Sequence, residues 1–348
     1  MSGYVAVQWS RTKYVYDAWL IGGVVLYIAG FMLIEGSLHP PKTQPEWIDL
    51  RIRAFGTCAF LMLSIILCIG PLARLNPRLL PLLYNRRHFG VLMFLVACVH
   101  AWSMVEWFIV LGVLPSLGDE LTNWPNYLKF IGFPFKTLGL VALFIFLLMA
   151  STSHDYWLAV LKPPVWKAIH MAVYVAYGLV VIHVALGAMQ TNRGLGIPIM
   201  LVTSLIVVST LHLLAGQRGR AIDRGIAAND EGWIPVGPPQ SIRDKCAKIV
   251  AAPGGERIAI FRDGDQIGAL SNVCVHQNGP LGEGKIIGGL ITCPWHGYQY
   301  QLKNGCAPPP FTERVATYRV RLKSGIVEVD PRPLAPGTAA SIKVPLNA

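Results

Sequence analysis

Six long apolar stretches fill the first part of the chain and limit the folds that it can adopt. None contains Asp, Glu, Lys or Arg, and they cover residues 18–34, 54–73, 89–105, 137–153, 168–190 and 194–217. A bilayer core about 30 Å thick is crossed by roughly 20 apolar residues in a helix. Charged residues are only 14% of the chain, against about 25% in a soluble domain. The pattern predicts an integral membrane protein with six spans followed by a soluble part.

The distribution of basic residues predicts how these spans are oriented. Cytoplasmic loops of membrane proteins are enriched in Lys and Arg. Most of the basic residues lie on one side, in the N-terminus, the second and fourth loops and the segment after the last span: Arg11, Lys13, Arg74, Arg78, Arg86, Arg87, Lys162, Lys167, Arg218, Arg220 and Arg224. Both termini are therefore predicted to be cytoplasmic, and the membrane is expected to be a bacterial inner membrane. Because this topology accounts for much of the net charge of +11, the charge does not indicate nucleic-acid binding.

The pattern changes after about residue 232 to short β-type runs separated by Gly, Pro and Asn-Gly turns. The runs cover residues 248–252, 257–262, 267–270, 289–292, 298–301, 316–322 and 326–329. They predict a small antiparallel β-domain. The predicted organisation has four parts: a six-span membrane domain at 1–217, a polar linker at 218–231, the β-domain at 232–331 and a tail at 332–348.

Two short motifs in the β-domain each combine a cysteine with a histidine. Cys274 and His276 form the first motif, and Cys293 and His296 form the second, each just after a predicted strand. A Rieske [2Fe–2S] cluster is held by two thiolates on one iron and two imidazoles on the other. A structural zinc site also accepts two Cys and two His. The residue types alone leave both kinds of metal site open.

The membrane part contains histidines that are candidate cofactor ligands, because ionisable residues inside a span are costly and often functional. His100 lies in the third span and His88 directly precedes it, whereas His170 and His183 lie in the fifth. These spans run in the same direction, and the helical rise separates the two histidines of each span by about 18–20 Å. Two bis-histidine haem sites are predicted, His88 with His170 and His100 with His183. A straight helix would not present both histidines of a span on one face, so kinked helices or haems on different flanks are assumed. His212 is the alternative to His88 as a ligand of the haem nearer the cytoplasm.

The sequences around these residues resemble two known families. GPLG at 279–282 and PWHGY at 294–298 resemble the two cluster loops of Rieske proteins, and the likeness covers about residues 233–330. No extra cysteines clamp the loops, so the domain resembles the ferredoxins of aromatic-ring dioxygenase systems. RRHFG at 86–90 and WKAIH at 166–170 resemble helices of the ferric reductase-like transmembrane family. The implied fold is a membrane all-α six-helix haem bundle followed by a small all-β Rieske-type domain.

These resemblances imply an oxidoreductase that moves electrons across the membrane. Electrons would pass from a cytoplasmic donor protein, such as a ferredoxin reductase, through the Rieske cluster to one or two b-type haems. The acceptor would be extracytoplasmic or a quinone, and membrane lipid is the remaining partner. No Gly-x-Gly-x-x-Gly motif follows a predicted strand, so the donor is expected to be a separate molecule. A quinol-oxidising module with inward flow and a redox sensor without net turnover remain alternatives.

Overall fold

The computed structural model describes residues 11–112, 135–154, 157, 160–161, 163–191, 194–225, 227–276, 278–295 and 297–345. The chain divides into two compact units. The helical unit contains the described residues up to Cys68 together with Asn85–Thr210, and the C-terminal unit contains Ile69–Tyr84 and the chain from Leu211 onward. The described α-helices are α1 Arg11–Leu38, α2 Gln44–Leu75, α3 Pro81–Tyr84, α4 Arg86–Val110, α5 Phe135–Ser151, α6 Pro163–Met171, α7 Val173–Thr191 and α8 Gly196–Asp223.

The apolar helices agree with the membrane prediction. Among the described residues, five segments are long and apolar enough to cross a bilayer: Lys13–Leu38, Gln44–Leu75, Arg86–Val110, Pro164–Gly187 and Gly196–Asp223. The fourth predicted span corresponds to α5, a shorter apolar helix of 17 residues. Large apolar side chains of α1 are exposed, Trp19 to 80% and Leu26 to 75%. An exposed apolar face of this size is expected where a helix contacts lipid.

The fifth predicted span is interrupted between its two histidines. Helix α6 ends at Met171 and α7 begins at Val173. The N–H of Ala172 is shared between the carbonyls of Ala168 (3.3 Å) and Ile169 (3.2 Å), which tightens the last turn of α6. The break lies between His170 and His183, where the spacing of the two histidines predicts a kink or haems on different flanks of the helix.

The C-terminal unit contains two antiparallel sheets. Its strands are β1 Ile234–Gly237, β2 Ala247–Ala251, β3 Arg257–Asp263, β4 Gln266–Ser271, β5 Lys285–Ile287, β6 Leu290–Thr292, β7 Gln299–Gln301, β8 Thr317–Lys323, β9 Ile326–Pro333 and β10 Ile342–Lys343. The larger sheet has the order β1-β9-β8-β4-β3-β2 with β10 paired to β4, and the smaller one has the order β5-β6-β7. The predicted β-domain is confirmed. Strand β10 lies in the segment predicted as a tail.

Alternating residues of β3 explain how the larger sheet positions a site. Ile258 and Ile260 pack into one apolar cluster, whereas Ala259 and Phe261 pack into a second cluster on the other face. Successive side chains of a strand point to opposite faces, so a strand that is apolar throughout joins two cores. The second cluster also contains both motif cysteines, and these loops are therefore anchored in the core.

Candidate functional site

The two cysteine–histidine loops have the same backbone geometry. The first loop joins β4 to β5, and the second joins β6 to β7. The N–H of Cys274 donates to the carbonyl of Gly279 at 2.8 Å, and the N–H of Cys293 donates to the carbonyl of Tyr298 at 2.8 Å. Each bond closes a loop over the same number of residues. Two equivalent loops thus present one cysteine each.

Residues with left-handed backbone close both loops. Asn278 has φ 59° and Gly297 has φ 71°, and their N–H groups donate to the carbonyls of Cys274 and Cys293 at 2.7 and 2.9 Å. Gly and Asn adopt this conformation more readily than other residues. Gly279 allows the loops to approach each other, since a Cβ there would lie 2.7 Å from the Sγ of Cys293.

The side chains of the loops form a buried set of metal donors. Cys274 and Cys293 are each 1% exposed, and the Nδ1 atom of His276 is buried. His296 lies outside the described residues. Within the part of the chain that is described, no three Cys, His, Asp or Glu side chains are grouped closely enough to hold a single metal ion. A [2Fe–2S] cluster instead takes its ligands as two pairs, so two thiols and an imidazole on adjoining loops fit it.

Tyrosine hydroxyls surround these donors. The ring of His276 stacks on Tyr298 with centroids 4.6 Å apart. The hydroxyl of Tyr300 lies 3.3 Å from the Sγ of Cys274, and that of Tyr298 donates to Glu313. Burial raises the pKa of both tyrosines, and the neighbouring Cys274 raises that of Tyr300 further. Both hydroxyls therefore keep their protons near neutral pH and act as hydrogen-bond donors.

In the helical unit, His100 and His183 line one cavity. The cavity has a volume of about 630 Å³ and is lined mainly by apolar residues of α2, α4, α5 and α7. The two imidazole rings have centroids 6.3 Å apart and an interplanar angle of 83°. The Nδ1 of His100 donates to the carbonyl of Ile52 at 2.9 Å, and that of His183 donates to the carbonyl of Phe135 at 2.8 Å. These bonds assign Nε2 of each ring as the metal-binding nitrogen.

The dimensions of this cavity fit a haem held by two histidines. Imidazole nitrogens lie about 2 Å from a bound metal, which places the ring centres of two imidazoles on one metal about 6 Å apart. The observed separation is 6.3 Å. The volume of about 630 Å³ is within the range of about 300–1,000 Å³ typical of cofactor sites.

The other two predicted histidines also have polar partners at Nδ1. The Nδ1 of His88 lies 2.8 Å from a carboxylate oxygen of Asp17 in α1. The Nδ1 of His170 donates to the carbonyl of Trp166 at 3.1 Å, and its ring stacks on that indole at 3.9 Å. Such partners are typical of metal-binding histidines. Neither residue is among those that line the cavity at His100 and His183.

Sequence reasoning missed the residues that make room for the histidine rings. A Cβ on Gly56 would lie 2.9 Å from the ring of His100, and one on Gly139 would lie 2.9 Å from the ring of His183. Asp17 was missed as well, because its contact with His88 joins residues 71 positions apart. Both histidine–carbonyl pairs are separated by 48 residues, a shared spacing that the contacts themselves reveal.

Two family models match separate parts of the chain. Residues 55–181 match the family model of the ferric reductase like transmembrane component, and residues 232–319 match that of the Rieske [2Fe-2S] domain. The first match contains His88, His100 and His170 and ends before His183, and the second contains both cysteine–histidine motifs.

Individual relatives resemble parts of the chain. The anthranilate 1,2-dioxygenase ferredoxin subunit of Burkholderia cepacia is 36% identical over 102 residues, which are 28% of this chain and 91% of the relative. The magnetosome protein MamZ of Paramagnetospirillum magneticum is 28% identical over 185 residues, 53% of this chain and 26% of the relative. A solved complex of reduced oxygenase and oxidized ferredoxin in carbazole 1,9a-dioxygenase contains a chain with 27% identity and a TM-score of 0.28, covering 30% of this chain and 99% of that one.

Proposed function

We propose that this chain, in which residues 55–181 match the ferric reductase like transmembrane component and residues 232–319 match the Rieske [2Fe-2S] domain, transfers electrons across a membrane between separate partners. It is an integral membrane oxidoreductase with an electron-transfer role. The donor is a cytoplasmic protein, and the acceptor lies on the opposite side or is a quinone in the bilayer. In the proposed topology both termini and the domain at 232–331 are cytoplasmic, so the proposed cluster lies on the same side of the membrane as the donor.

The cluster ligands are proposed to be Cys274 and Cys293 on one iron and His276 and His296 on the other. Support comes from the matched geometry of the loops and from the burial of both thiols. The relative from Burkholderia cepacia is the ferredoxin subunit of a dioxygenase, which also supports an electron-transfer role for this domain. The cluster supplies one-electron redox chemistry, while the chain sets its hydrogen bonds and its exposure.

The haem ligands are proposed to be His100 with His183 in one site and His88 with His170 in another. The observation that carries the proposal is the pair His100 and His183, whose rings lie 6.3 Å apart in one cavity with Nδ1 of each fixed by a carbonyl. Haem b supplies a second kind of one-electron centre there. The backbone carbonyls orient the imidazoles, and the apolar walls exclude water.

The central test combines cofactor content with electron flux. Cys293→Ser removes one proposed cluster ligand, and it should abolish the Rieske-type paramagnetic signal without loss of haem. Vesicles are prepared with the reductant inside, in contact with the cytoplasmic face of the protein, and with ferricyanide outside. The electron flux from the reductant to ferricyanide should fall to the background of vesicles without protein. The haem ligands lie in the helical unit and the cluster ligands in the C-terminal unit, so each site is expected to fill independently.

Cys306→Ser is the matched control, because Cys306 is a free thiol of the same domain outside the two loops. This variant should retain the cluster signal, the haem and the flux of the wild type. Stoichiometric zinc without acid-labile sulfide would overturn the cluster assignment. Undiminished flux in Cys293→Ser would overturn the proposed route.

A further inference from the structure

The cavity at His100 and His183 is built from one arrangement used twice. Helices α2 and α4 make the first half, and α5 and α7 make the second. In each half the first helix supplies a carbonyl to the histidine of the second helix across 48 residues. In each half a glycine one helical turn after that carbonyl, Gly56 or Gly139, lies against the histidine ring.

A basic residue occupies the same place in both halves. Arg53 directly follows Ile52, whose carbonyl accepts the bond from His100, and Lys136 directly follows Phe135, whose carbonyl accepts the bond from His183. Both Arg53 and Lys136 line the cavity. Two cations therefore stand at equivalent positions around a cavity whose other walls are mostly apolar. A ligand that is apolar over most of its surface and carries two carboxylates at one edge would match this distribution of charge.

On the basis of the proposed haem site, we infer that Arg53 and Lys136 bind the two propionate groups of the haem held by His100 and His183. Carboxylates taken out of water need charged or hydrogen-bonding partners, and each half of the arrangement provides one cation. Arginine has five N–H donors and can bind one carboxylate with two of them. Lysine offers three donors from a single charged nitrogen.

The acidic groups near Arg53 are compatible with this role. Its Nε lies 3.3 Å from Asp49, which also lines the cavity, and its Nη1 lies 3.4 Å from Glu35 of α1. Both distances exceed the 2.7–2.9 Å or so of a strong charge-assisted hydrogen bond. The side chain of Arg53 is 23% exposed, so it is largely withdrawn from water. Lys136 has its Nζ 4.4 Å from the centre of the Phe108 ring, a contact that holds it beside the cavity.

Arg51 provides a control within the same turn of α2. It pairs with Glu106 of α4 and donates from Nε to Ser103 at 3.1 Å. Arg51 is not among the residues that line the cavity. Two residues along a helix correspond to a rotation of about 200°, so Arg51 and Arg53 point in nearly opposite directions. Removing Arg51 therefore changes the local charge by the same amount without removing the proposed propionate partner.

The test compares haem b with its dimethyl ester, which lacks the two negative charges. Full-length protein from haem-depleted cells is loaded with either compound, and transfer to an excess of apomyoglobin measures the rate of haem loss. The contribution of the haem at His100 and His183 is the part of the signal that His183→Ala removes. Wild type should lose the ester at least about tenfold faster than haem b. Arg53→Gln and Lys136→Gln should each reduce the difference between the rates at which the ester and haem b are lost, and the double variant should abolish this difference.

Arg51→Gln should leave the preference of the wild type intact. Equal retention of haem b and its ester by the wild type overturns the inference, and this comparison needs no variant to fold. An effect of Arg51→Gln as large as that of Arg53→Gln also overturns it, because the cause would then be the general field of nearby charge. Absence of haem from the wild type overturns the proposed function itself. The two failures are therefore distinguishable.

Discussion

At the scale of single residues, the hydroxyl of Tyr300 is the clearest means by which this chain adjusts its cluster. It lies 3.3 Å from the Sγ of Cys274. A thiolate that binds iron can only accept a hydrogen bond, and hydrogen bonds to cluster sulfur raise the reduction potential because they stabilise the more negative, reduced state. Tyr300 is fully buried, so water cannot replace the bond.

Tyr300→Phe should therefore lower the cluster potential. Loss of one hydrogen bond to a charged group changes the equilibrium constant for reduction by about a factor of ten, which is roughly 60 mV for a one-electron couple. A redox titration followed by the cluster's paramagnetic signal measures the shift. Tyr318→Phe is the control, because Tyr318 is equally buried but belongs to the apolar cluster on the other face of the sheet. An unchanged potential in Tyr300→Phe would show that its hydroxyl does not act on the cluster.

At the scale of helices, two glycines let the histidine rings lie close to the neighbouring backbone. Gly56→Ala and Gly139→Ala would each place a Cβ 2.9 Å from an imidazole atom, closer than normal contacts allow. Overpacking of this kind costs about 1–3 kcal/mol. Each ring should therefore shift, and part of the haem should be lost. The low-spin haem signal depends on the angle between the imidazole planes, which is 83° in this structure, so it should change or disappear.

Gly70→Ala in α2 and Gly178→Ala in α7 are the matched controls. A Cβ at either position meets no atom within 4 Å. Alanine is favoured over glycine inside a helix by about 1 kcal/mol, so these variants should be neutral or slightly more stable. They should keep the haem content and the spectrum of the wild type. If all four variants behave alike, close contact with the histidine rings is not the reason for the glycines.

The same elements show what the sequence predicts and what it does not. Apolar length predicted the helices, and alternating β-forming runs predicted most strands, since both signals are local. Strand β10, Ile342–Lys343, was missed because two residues in a tail that contains Pro and Ala show no periodicity. The contact of Gly139 with the ring of His183 was missed because it depends on packing between two helices. The shared separation of 48 residues between each histidine and its carbonyl partner became apparent only from the carbonyl contacts.

At the scale of the whole molecule, the proposed cluster site and the proposed haem sites lie in differently built surroundings. The cluster loops are held by β-sheet and by cores on both faces of β3, whereas the histidines lie on membrane helices. Polar strand edges and loops cannot face lipid, while helices satisfy their own backbone hydrogen bonds within it. A Rieske domain beyond the last helix and histidines within the helices together suit a protein that joins a water-soluble donor to a carrier in the membrane.

The final prediction tests the proposed order of carriers in the whole molecule. In the proposed topology, with both termini cytoplasmic, His170 would serve the site nearer the donor, and His183 would serve the site nearer the acceptor. His183→Ala should leave a haem that the cluster still reduces but that passes no electrons to ferricyanide outside. His170→Ala should instead prevent reduction of the remaining haem, because helical rise separates the two positions by about 20 Å and no carrier would bridge them. His39→Ala is the control, since His39 is an exposed histidine 76% accessible beside Glu35. Stopped-flow haem absorbance in oriented vesicles, with the reductant confined to the cytoplasmic face, measures both variants. Identical behaviour of the two variants, or the reverse order, would show that the topology or the pairing of histidines is wrong.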